Sequence, residues 1–450
     1  MKTKAGFYRN FFAIYIPLVL QNVITLSVNL ADNMMLGAYS ETSLAGAAAV
    51  NQIQFVFQQL ITALGDGLVI FCSQYWGRKQ TGPMKRIAAC AMHFALLIAV
   101  LLFVLVSVFP YRAMKIFTTD EPIIAEGMAY LYVIRFTYLF FAITQILLAT
   151  ARSVELVRVA LYVSVTAFVV NCSINYLLIF GNLGAPRLGI TGAAIGTLCA
   201  RILELCVVIL YLHRKEQHLK MRFVDYLHTD KVLRQDYFKV TAPMLFCQGL
   251  WGLNTALQTV ILGHMTAAAI AANSAASTLF LMVKSTAVGA SSTASVIIGK
   301  TIGTGDLTLT KEYSRRLQRM FLVIGICSGI LLYFIRIPVL GLYDLQPGTK
   351  EMANTFLIIL SVVCVGMSYQ MPTNNGIIRG GGNAMFVVKM DLISIWLIVL
   401  PLSFFMAFVV KASPAVVVCC LNADQIFKGI PAFFESHYGN WIKKLTREDA

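Results

Sequence analysis

The first long apolar segment of the sequence contains a single acidic residue, Asp32, between Asn29 and Asn33. Together with Asn22 these residues follow a helical spacing that places their side chains on one face. An ionised carboxylate is costly inside a bilayer, so an acid within a span usually belongs to an ion or substrate pathway. Such a group can take up and release a proton, with Na⁺ as the alternative ion. The pattern predicts that Asp32 couples ion movement to another process.

Further polar residues follow helical spacings in other apolar segments. A single polar side chain in a membrane helix often only joins two helices, through a hydrogen bond worth about 0.6–2 kcal/mol. Several such stripes in both halves of the chain instead predict a polar, partly hydrated cavity. Asp32 is its expected ion-coupling residue, Asn171 and Asn175 belong to the stripe of the fifth span, and its expected substrate-lining residues are Asn22, Asn29, Asn33, Gln54, Gln58 and Lys284.

The composition indicates the kind of scaffold that holds these residues. The 450 residues are 58% hydrophobic and 13% charged, with a mean hydropathy of +0.74. Soluble domains average about 25% charged residues, and apolar runs of about 20 residues recur, as in membrane helices. The fold class is therefore an all-α polytopic membrane protein. Its twelve predicted spans are 11–37, 43–75, 87–109, 123–150, 156–180, 188–212, 236–262, 268–299, 317–336, 352–378, 384–410 and 413–434.

The distribution of basic residues predicts the orientation of these spans. Most of the 36 Lys and Arg residues lie on the side of the N-terminus, so both termini are expected to be cytoplasmic. The basic excess thus needs no nucleic-acid partner. Polar residues 213–235 are expected to link an N-terminal six-helix lobe, 1–212, to a C-terminal six-helix lobe, 236–450.

An internal repeat relates the two predicted lobes. An offset of 226 residues places Pro17 on Pro243 and Gly77 on Gly303 without a gap, although overall identity is weak. The same offset places Asp32 on Gln258. One half thus carries a titratable acid where the other carries an amide, which favours a specific role for Asp32 over packing alone. Repeats of this kind are common in secondary transporters.

Other charged positions in the spans are harder to interpret. Arg201 and Glu204 have the i,i+3 spacing of an ion pair. Arg135 has no evident partner. Lys284 is equally consistent with structural pairing and with a role in gating or substrate handling, and Asp66 is one candidate partner for it.

The sequence lacks the motifs of an enzyme. The segment GKT at 299–301 is not a P-loop, because Ala294 replaces the required glycine. No zinc-protease or nucleophile-elbow motif is found. We therefore expect no enzymatic activity, no metal and no cofactor beyond a coupling ion, H⁺ or Na⁺.

Several segments resemble the multidrug and toxic compound extrusion (MATE) transporters. They include IPLVLQNVITLSVNLADNMMLG in the first span, SQYWGRKQ at the end of the second, GITGAAIGTLCARILE in the sixth and IIRGGGNAMF at 377–386. The resemblance implies two six-helix lobes that alternate access and export organic, often cationic, compounds against an ion gradient.

The resemblance also implies roles for individual residues. Pro17 and Asp32 match a proline that permits a helix bend and a coupling aspartate in the DinF-like branch of the family. Asn171 and Asn175 match polar partners of that aspartate, one of which is an acid in some relatives, so the resemblance implies that both share in ion coupling with Asp32. Gln248 replaces a glutamate of many relatives, which argues against a cation site of the NorM type in the C-terminal lobe.

Together these observations predict a cation-coupled multidrug exporter of the inner membrane, with the proton as the favoured coupling ion. We expect it to act as a monomer on small organic substrates, chiefly cations. One alternative is a flippase for lipid-linked saccharides in the same superfamily, which should have a more basic cavity. The other is a passive channel or a membrane protein that transports nothing.

Overall fold

The computed structural model describes residues 4–215, 219, 221, 223–263, 265, 267–341 and 346–447. Long α-helices account for nearly all of this part of the chain. In chain order they are α1 Lys4–Tyr39, α2 Glu41–Gly77, α3 Thr81–Val108, α4 Glu121–Ile134 with Thr137–Ser153, α5 Arg158–Phe180, α6 Ile190–Lys215, α7 Lys231–Gly263, α8 Ala267–Gly303, α9 Leu307–Leu340, α10 Pro347–Ile378, α11 Ala384–Val409 and α12 Pro414–Tyr438.

These helices confirm the predicted all-helical membrane fold. Within the described residues, ten helices are long and apolar enough to cross a bilayer. The two parts of α4, bent by 51° at residues 135–136, form an eleventh span if they are counted together. The seventh predicted span is not among these eleven, but it corresponds to α7, a helix of 33 residues, which brings the number to twelve. The twelve-span, two-lobe arrangement therefore fits the structure.

The helices α10 and α11 contain wide π-helical turns at Pro372–Ile378, Ile393–Val399 and Phe405–Val409. Such turns are rare and are enriched at functional sites. Asn374 lies within the first of them, and Asp391 lies shortly before the second. Both residues belong to the polar network of the C-terminal half described below.

The chain folds into two compact units. The N-unit comprises Leu20–Cys72 and Gln80–Thr241, and the C-unit comprises Met1–Val19, Ser73–Lys79 and Ala242–Ala450. The lobe limits derived from the sequence, 1–212 and 236–450 around a linker at 213–235, stay a prediction.

The beginning of α1, up to Val19, belongs to the C-unit and packs against other helices of that unit. The Phe7 ring lies 4.7 Å from the ring of Tyr313, between centroids. A Cβ atom on Gly289 of α8 would lie 2.5 Å from a methyl group of Val19. The close approach of α1 and α8 therefore depends on a residue without a side chain.

The glycines matched by the sequence repeat contact each other inside the C-unit. A Cβ atom on Gly303 would lie 2.9 Å from the Cα atom of Gly77, and one on Gly77 would lie 2.1 Å from the carbonyl oxygen of Lys300. The ends of α2 and α8 thus meet backbone to backbone. This contact gives a physical reason for glycine at both positions of the repeat.

Within the N-unit, the beginning of α7 packs against α2. The Tyr237 hydroxyl donates a 2.7 Å hydrogen bond to the carbonyl oxygen of Leu64. A Cβ atom on Gly67 would lie 2.0 Å from the Thr241 methyl group. The chain therefore passes from one unit to the other inside both α1 and α7, the first helices of the two repeats.

Candidate functional site

The Asp32 carboxylate lies in a polar network of the N-unit. Asn175 on α5 donates a hydrogen bond from Nδ2 to Asp32 Oδ1 at 2.5 Å. The same Nδ2 is 3.3 Å from Asn171 Oδ1, and Asn171 Nδ2 is 3.4 Å from the Thr197 hydroxyl on α6. Asp32 is half-buried, whereas Asn171 and Asn175 are almost completely buried. The structure thus brings together the three predicted ion-coupling residues.

The packing of α5 against α6 positions the Asn175 amide. A Cβ atom on Gly196 of α6 would lie only 2.2 Å from Asn175 Oδ1. Glycine at position 196 therefore creates the space that the amide occupies. The i,i+4 spacing of Asn171 and Asn175 places both amides on the face of α5 towards α6. Asn175 Oδ1 is buried and accepts no hydrogen bond from the described residues.

A positive charge lies close to the Asp32 network. The Arg201 guanidinium on α6 acts electrostatically on the Asp32 carboxylate and packs over the Phe141 ring at 5.0 Å. It also donates a 2.8 Å hydrogen bond from Nη1 to Glu204 Oε2, which confirms the predicted i,i+3 ion pair. Glu204 is thus paired with Arg201, whereas the Asn175 amide contacts Asp32.

Thr197 connects this network to α4. Its hydroxyl donates to the carbonyl oxygen of Ala193 at 3.1 Å and interacts with the buried Tyr130 hydroxyl. Sequence reasoning missed Thr197 and Tyr130. Nothing in the sequence singles these two residues out, because a threonine and a tyrosine in an apolar helix are ordinary packing residues. The asparagine pair was easier to find from its spacing.

The other predicted cavity residues of the N-unit lie on α1 and α2. Asn29 and Asn33 are exposed and Asn22 is half-buried, and no described hydrogen bond joins any of them to Asp32. Gln54 Nε2 is 3.4 Å from the Thr137 hydroxyl. Gln58, also half-buried, accepts a hydrogen bond from Thr62 through its backbone carbonyl. Their role in a substrate cavity stays a prediction.

Lys284 lies in the C-unit on α8. Its ammonium nitrogen is 5.2 Å from the centroid of the Trp251 ring, a contact that stabilises a cation. Among the described residues it has no ion pair. Asp66, which the sequence suggested as a partner for Lys284, instead forms a 3.0 Å ion pair with Arg152 in the N-unit.

Arg135 is held mainly by aromatic rings. Its guanidinium carbon lies 5.2 Å from the ring centroids of Tyr132 and Phe136 and 5.6 Å from that of Phe103. These contacts, at the bend of α4, supply the partner that could not be identified from the sequence. They favour a structural role, because cation–π contacts stabilise an arginine that has few polar neighbours.

A second buried charge network lies in the C-unit. Lys428 on α12 forms ion pairs of 2.8 Å with Asp391 on α11 and 2.9 Å with Asp424 on α12. The side chains of Lys428 and Asp424 are only 5% and 6% exposed. A chain of amides extends from it, since Gln425 donates to Asp424, Gln370 donates to Gln425 and Asn374 donates to Gln370.

Sequence reasoning missed this second network. The i,i+4 spacing of Asp424 and Lys428 inside an apolar segment is a local signal from which this ion pair could be predicted. The counterpart of Asp32 in the repeat, Gln258, takes no part in the network. Gln258 Nε2 instead lies 3.4 Å from Asn254 Oδ1, an amide–amide contact within α7. The two halves of the chain thus carry different polar chemistry.

Pro17 lies inside α1, which continues through it as one helix. The chain leaves the C-unit between Val19 and Leu20, two residues beyond Pro17. After a short passage through the C-unit at Ser73–Lys79, it enters that unit again between Thr241 and Ala242, one residue before Pro243, which lies inside α7. Proline removes a backbone hydrogen bond and weakens a helix locally. Both weak points thus coincide with the positions where a helix changes unit.

The fold and the site define a multi-pass helical membrane protein with one polar, carboxylate-centred network in its N-unit. The family model MatE matches the chain over residues 17–177 and 243–405, and the chain belongs to this family of transporters. The two matched segments start 226 residues apart, which is the offset of the internal repeat. No enzymatic activity is associated with this family of transporters.

Curated relatives are similar over nearly the whole chain. The uncharacterized transporter YisQ of Bacillus subtilis is 23% identical, with 96% of this chain and 95% of that protein covered. The probable multidrug resistance protein YoeA of the same organism is 24% identical, covering 96% and 92%. The probable multidrug resistance protein NorM of Thermotoga maritima is 23% identical, covering 96% and 93%.

Solved structures show the same fold. The Vibrio cholerae MATE transporter VcmN, as a mutant, superimposes with a TM-score of 0.86 and 16% identity, covering 98% of both chains. A MATE structure in the straight conformation gives 0.86 at 14% identity, covering 95% of this chain and 94% of that one. The fold is therefore that of MATE transporters.

Proposed function

We propose that this protein is a secondary active multidrug exporter that exchanges protons for organic, often cationic, compounds by alternating access. The observation that carries the proposal is the 2.5 Å hydrogen bond from Asn175 to the only carboxylate of α1, Asp32. The names of YoeA and NorM, probable multidrug resistance proteins, support the substrate class. The Asp32 network and Pro17 also support assignment to the DinF-like branch.

The hydrogen-bond roles around Asp32 favour a proton over a sodium ion. An ionised carboxylate only accepts hydrogen bonds, and Asn175 presents its Nδ2 donor to it. Sodium would instead need the amide oxygens turned towards it, because hard cations are bound by oxygen ligands. Protonation converts the carboxylate to a donor, which the Nδ2 donor of Asn175 cannot accept.

A transport cycle follows from these groups. Protonation of Asp32 from the outside removes its negative charge and weakens the charge-assisted bond to Asn175. The part of α1 beyond Pro17 can then repack, which changes the cavity and releases the substrate outside. Deprotonation towards the cytoplasm restores the hydrogen bond and resets the site. Both termini lie in the cytoplasm in this scheme, and the protein works as a monomer in the inner membrane.

The small number of cations among the predicted cavity residues argues against the flippase alternative. A site for lipid-linked saccharides needs several free cations to hold a pyrophosphate group. Lys428 is already paired with two carboxylates, and Lys284 lies over Trp251. Lys284 is the only basic residue among the predicted cavity residues, and such a lining is better suited to cationic or neutral organic compounds, for which Trp251 offers aromatic surface.

The proposal is tested by transport in proteoliposomes that contain the purified protein and a fluorescent organic cation. A pH gradient without sodium should drive movement of the cation, and dissipation of the gradient should abolish it. Movement driven only by a sodium gradient would contradict proton coupling. Flux that is independent of either gradient would indicate a channel, and movement of lipid-linked saccharide alone would indicate a flippase.

A further inference from the structure

A cleft of about 490 Å³ opens on the surface of the C-unit, between α9, α10 and α12. Its two long walls come from residues at helical spacing on α9 and α12, and Tyr369 of α10 lies between them. The α9 wall consists of Arg315, Gln318, Arg319 and Leu322, and the α12 wall of Ile426, Gly429, Ile430, Phe433 and His437.

One end of the cleft is cationic. Arg315 and Arg319 are both exposed, and neither forms an ion pair with a described residue. Their neighbour Arg316 is different, because it is paired with Glu312. On the opposite wall the His437 ring stacks on Phe433 at 4.1 Å, and its Nδ1 lies 3.0 Å from the Phe433 carbonyl oxygen. Two available guanidinium groups with five N–H donors each suit a phosphate group.

The middle of the cleft is held in place by buried hydrogen bonds. Gln318, only 4% exposed, donates from Nε2 to the hydroxyls of Ser314 and Ser436, at 3.1 Å each. Its Oε1 accepts a 2.9 Å hydrogen bond from the Tyr369 hydroxyl. One glutamine thus joins α9, α10 and α12 beneath the cationic end. The protein's own hydrogen bonds therefore preform the cleft.

The other end of the cleft is apolar and open. The side chains of Leu322, Ile426 and Ile430 are 43%, 52% and 62% exposed. Ile426 lies 11 residues from His437, or roughly 16 Å along a helix, so the apolar part extends well into the membrane span. An exposed apolar face on a membrane helix meets lipid chains and not water.

The position along the spans matches this polarity. Arg315 is near the beginning of α9, and His437 is near the end of α12. Four consecutive spans bring the beginning of α9 and the end of α12 to the same membrane surface. The cationic end of the cleft therefore lies at the depth of lipid headgroups, with the apolar end at the depth of acyl chains.

We infer that this cleft binds an anionic phospholipid of the surrounding bilayer. The lipid phosphate lies between Arg315 and Arg319, and an acyl chain lies along Ile426 and Ile430. Basic pockets between membrane helices bind anionic headgroups in this way. A free phosphate ion shares the headgroup chemistry, but it would leave the apolar half of the cleft without a function.

Native mass spectrometry of the detergent-solubilised protein tests this inference. Phosphatidylglycerol should bind the wild type, and the double variant Arg315→Gln/Arg319→Gln should bind it roughly 10- to 30-fold more weakly. The matched control is Lys231→Gln/Arg234→Gln, which removes two exposed positive charges from the beginning of α7. It should retain wild-type binding, and equal loss in both double variants would overturn the site.

Two further arms distinguish the lipid from other occupants. Phosphatidylcholine, which has no net charge, should bind the wild type about as weakly as phosphatidylglycerol binds the arginine double variant. Ile430→Asn should weaken binding of phosphatidylglycerol severalfold, because it places an amide where the acyl chain lies. Equal binding of phosphatidylcholine, displacement of the lipid by millimolar inorganic phosphate, or unchanged binding in Ile430→Asn would each contradict an anionic lipid site.

Discussion

Asn175 on α5 donates a 2.5 Å hydrogen bond from its side-chain amide to the carboxylate of Asp32 on α1. Asn175 is completely buried, whereas Asp32 is half-buried. The carboxylate is therefore held by a buried donor and keeps part of its surface accessible. This asymmetry is what a group needs if it is to take up a proton and report the change to a neighbouring helix.

Removal of the Asn175 amide should impair transport without unfolding the protein. Asn175→Leu has a similar volume but leaves the Asp32 carboxylate without its donor. A hydrogen bond to a charged group contributes about 1.5–3 kcal/mol, so proton-driven transport should fall roughly 10-fold or more. Initial rates in proteoliposomes at a fixed pH gradient measure this effect. A leucine variant that transports at the wild-type rate would show that Asn175 does not act on Asp32.

Gly196 should be intolerant of a side chain because of Asn175. The variant Gly196→Ala places a methyl group against Asn175 Oδ1, so the amide must move and transport should fall severalfold. The control Gly249→Ala adds the same methyl group to α7 in open space and should be neutral. A second control, Gly192→Ala, contacts the Leu178 backbone and tests the α5–α6 packing itself.

The effect of Gly196→Ala is interpreted by comparing the loss of transport rate with the loss of melting temperature. Gly192→Ala should lower the melting temperature, whereas Gly196→Ala should lower transport more than it lowers the melting temperature. If both alanine variants lose stability and transport in the same proportion, the Gly196 effect is one of helix packing alone. Rates in proteoliposomes and melting curves in detergent provide the two measurements.

Part of this site could be predicted from the sequence because its signals are local. The lone acid in α1, the i,i+4 asparagines and the i,i+3 pair of Arg201 and Glu204 depend on one helix each. The bond between Asp32 and Asn175, by contrast, depends on how α1 packs against α5. The polar stripe on α1 indicated which face of the helix carries the polar side chains. Among the described hydrogen bonds, however, only Asp32 of that stripe joins the network.

The network around Lys428 shows why the rest could not be predicted. Its ion pair with Asp391 joins positions 37 residues apart in sequence, so no local pattern reveals it. The same limitation applies to the beginning of α1, which packs in the C-unit although it precedes Asp32 in the chain. Charge pairs between helices and the division of one helix between two units are properties of packing and leave no period in the sequence.

Pro17 should control the flexibility of α1. The variant Pro17→Ala restores a backbone hydrogen bond, and an interior proline costs a helix about 3 kcal/mol. We expect a more stable protein whose transport is slowed severalfold, because α1 bends less readily where it changes unit. Pro110→Ala is the control, since Pro110 occupies the first turn of a short helix, where proline is tolerated. Undiminished transport by Pro17→Ala would exclude a bend at this position from the cycle.

Lys428 should be essential for stability. Lys428→Met leaves Asp391 and Asp424 without their shared cation, and breaking a buried ion pair costs about 3–5 kcal/mol. The melting temperature in detergent should therefore fall by several degrees. Arg86→Met, which breaks a pair with Asp230 on the protein surface, should cost about 0–1 kcal/mol. Equal small shifts in the two variants would mean that the Lys428 network contributes little to folding.

The central claim is that Asp32 couples proton movement to export. The variant Asp32→Asn in proteoliposomes tests it most directly. Asparagine keeps the size of the side chain but cannot take up a proton. We predict that transport driven by a pH gradient is lost, whereas binding of the organic cation changes only severalfold. Asp66→Asn, at a carboxylate paired with Arg152, should retain gradient-driven transport. Wild-type transport by Asp32→Asn would contradict coupling at Asp32 and move it to Asp66 or Glu204.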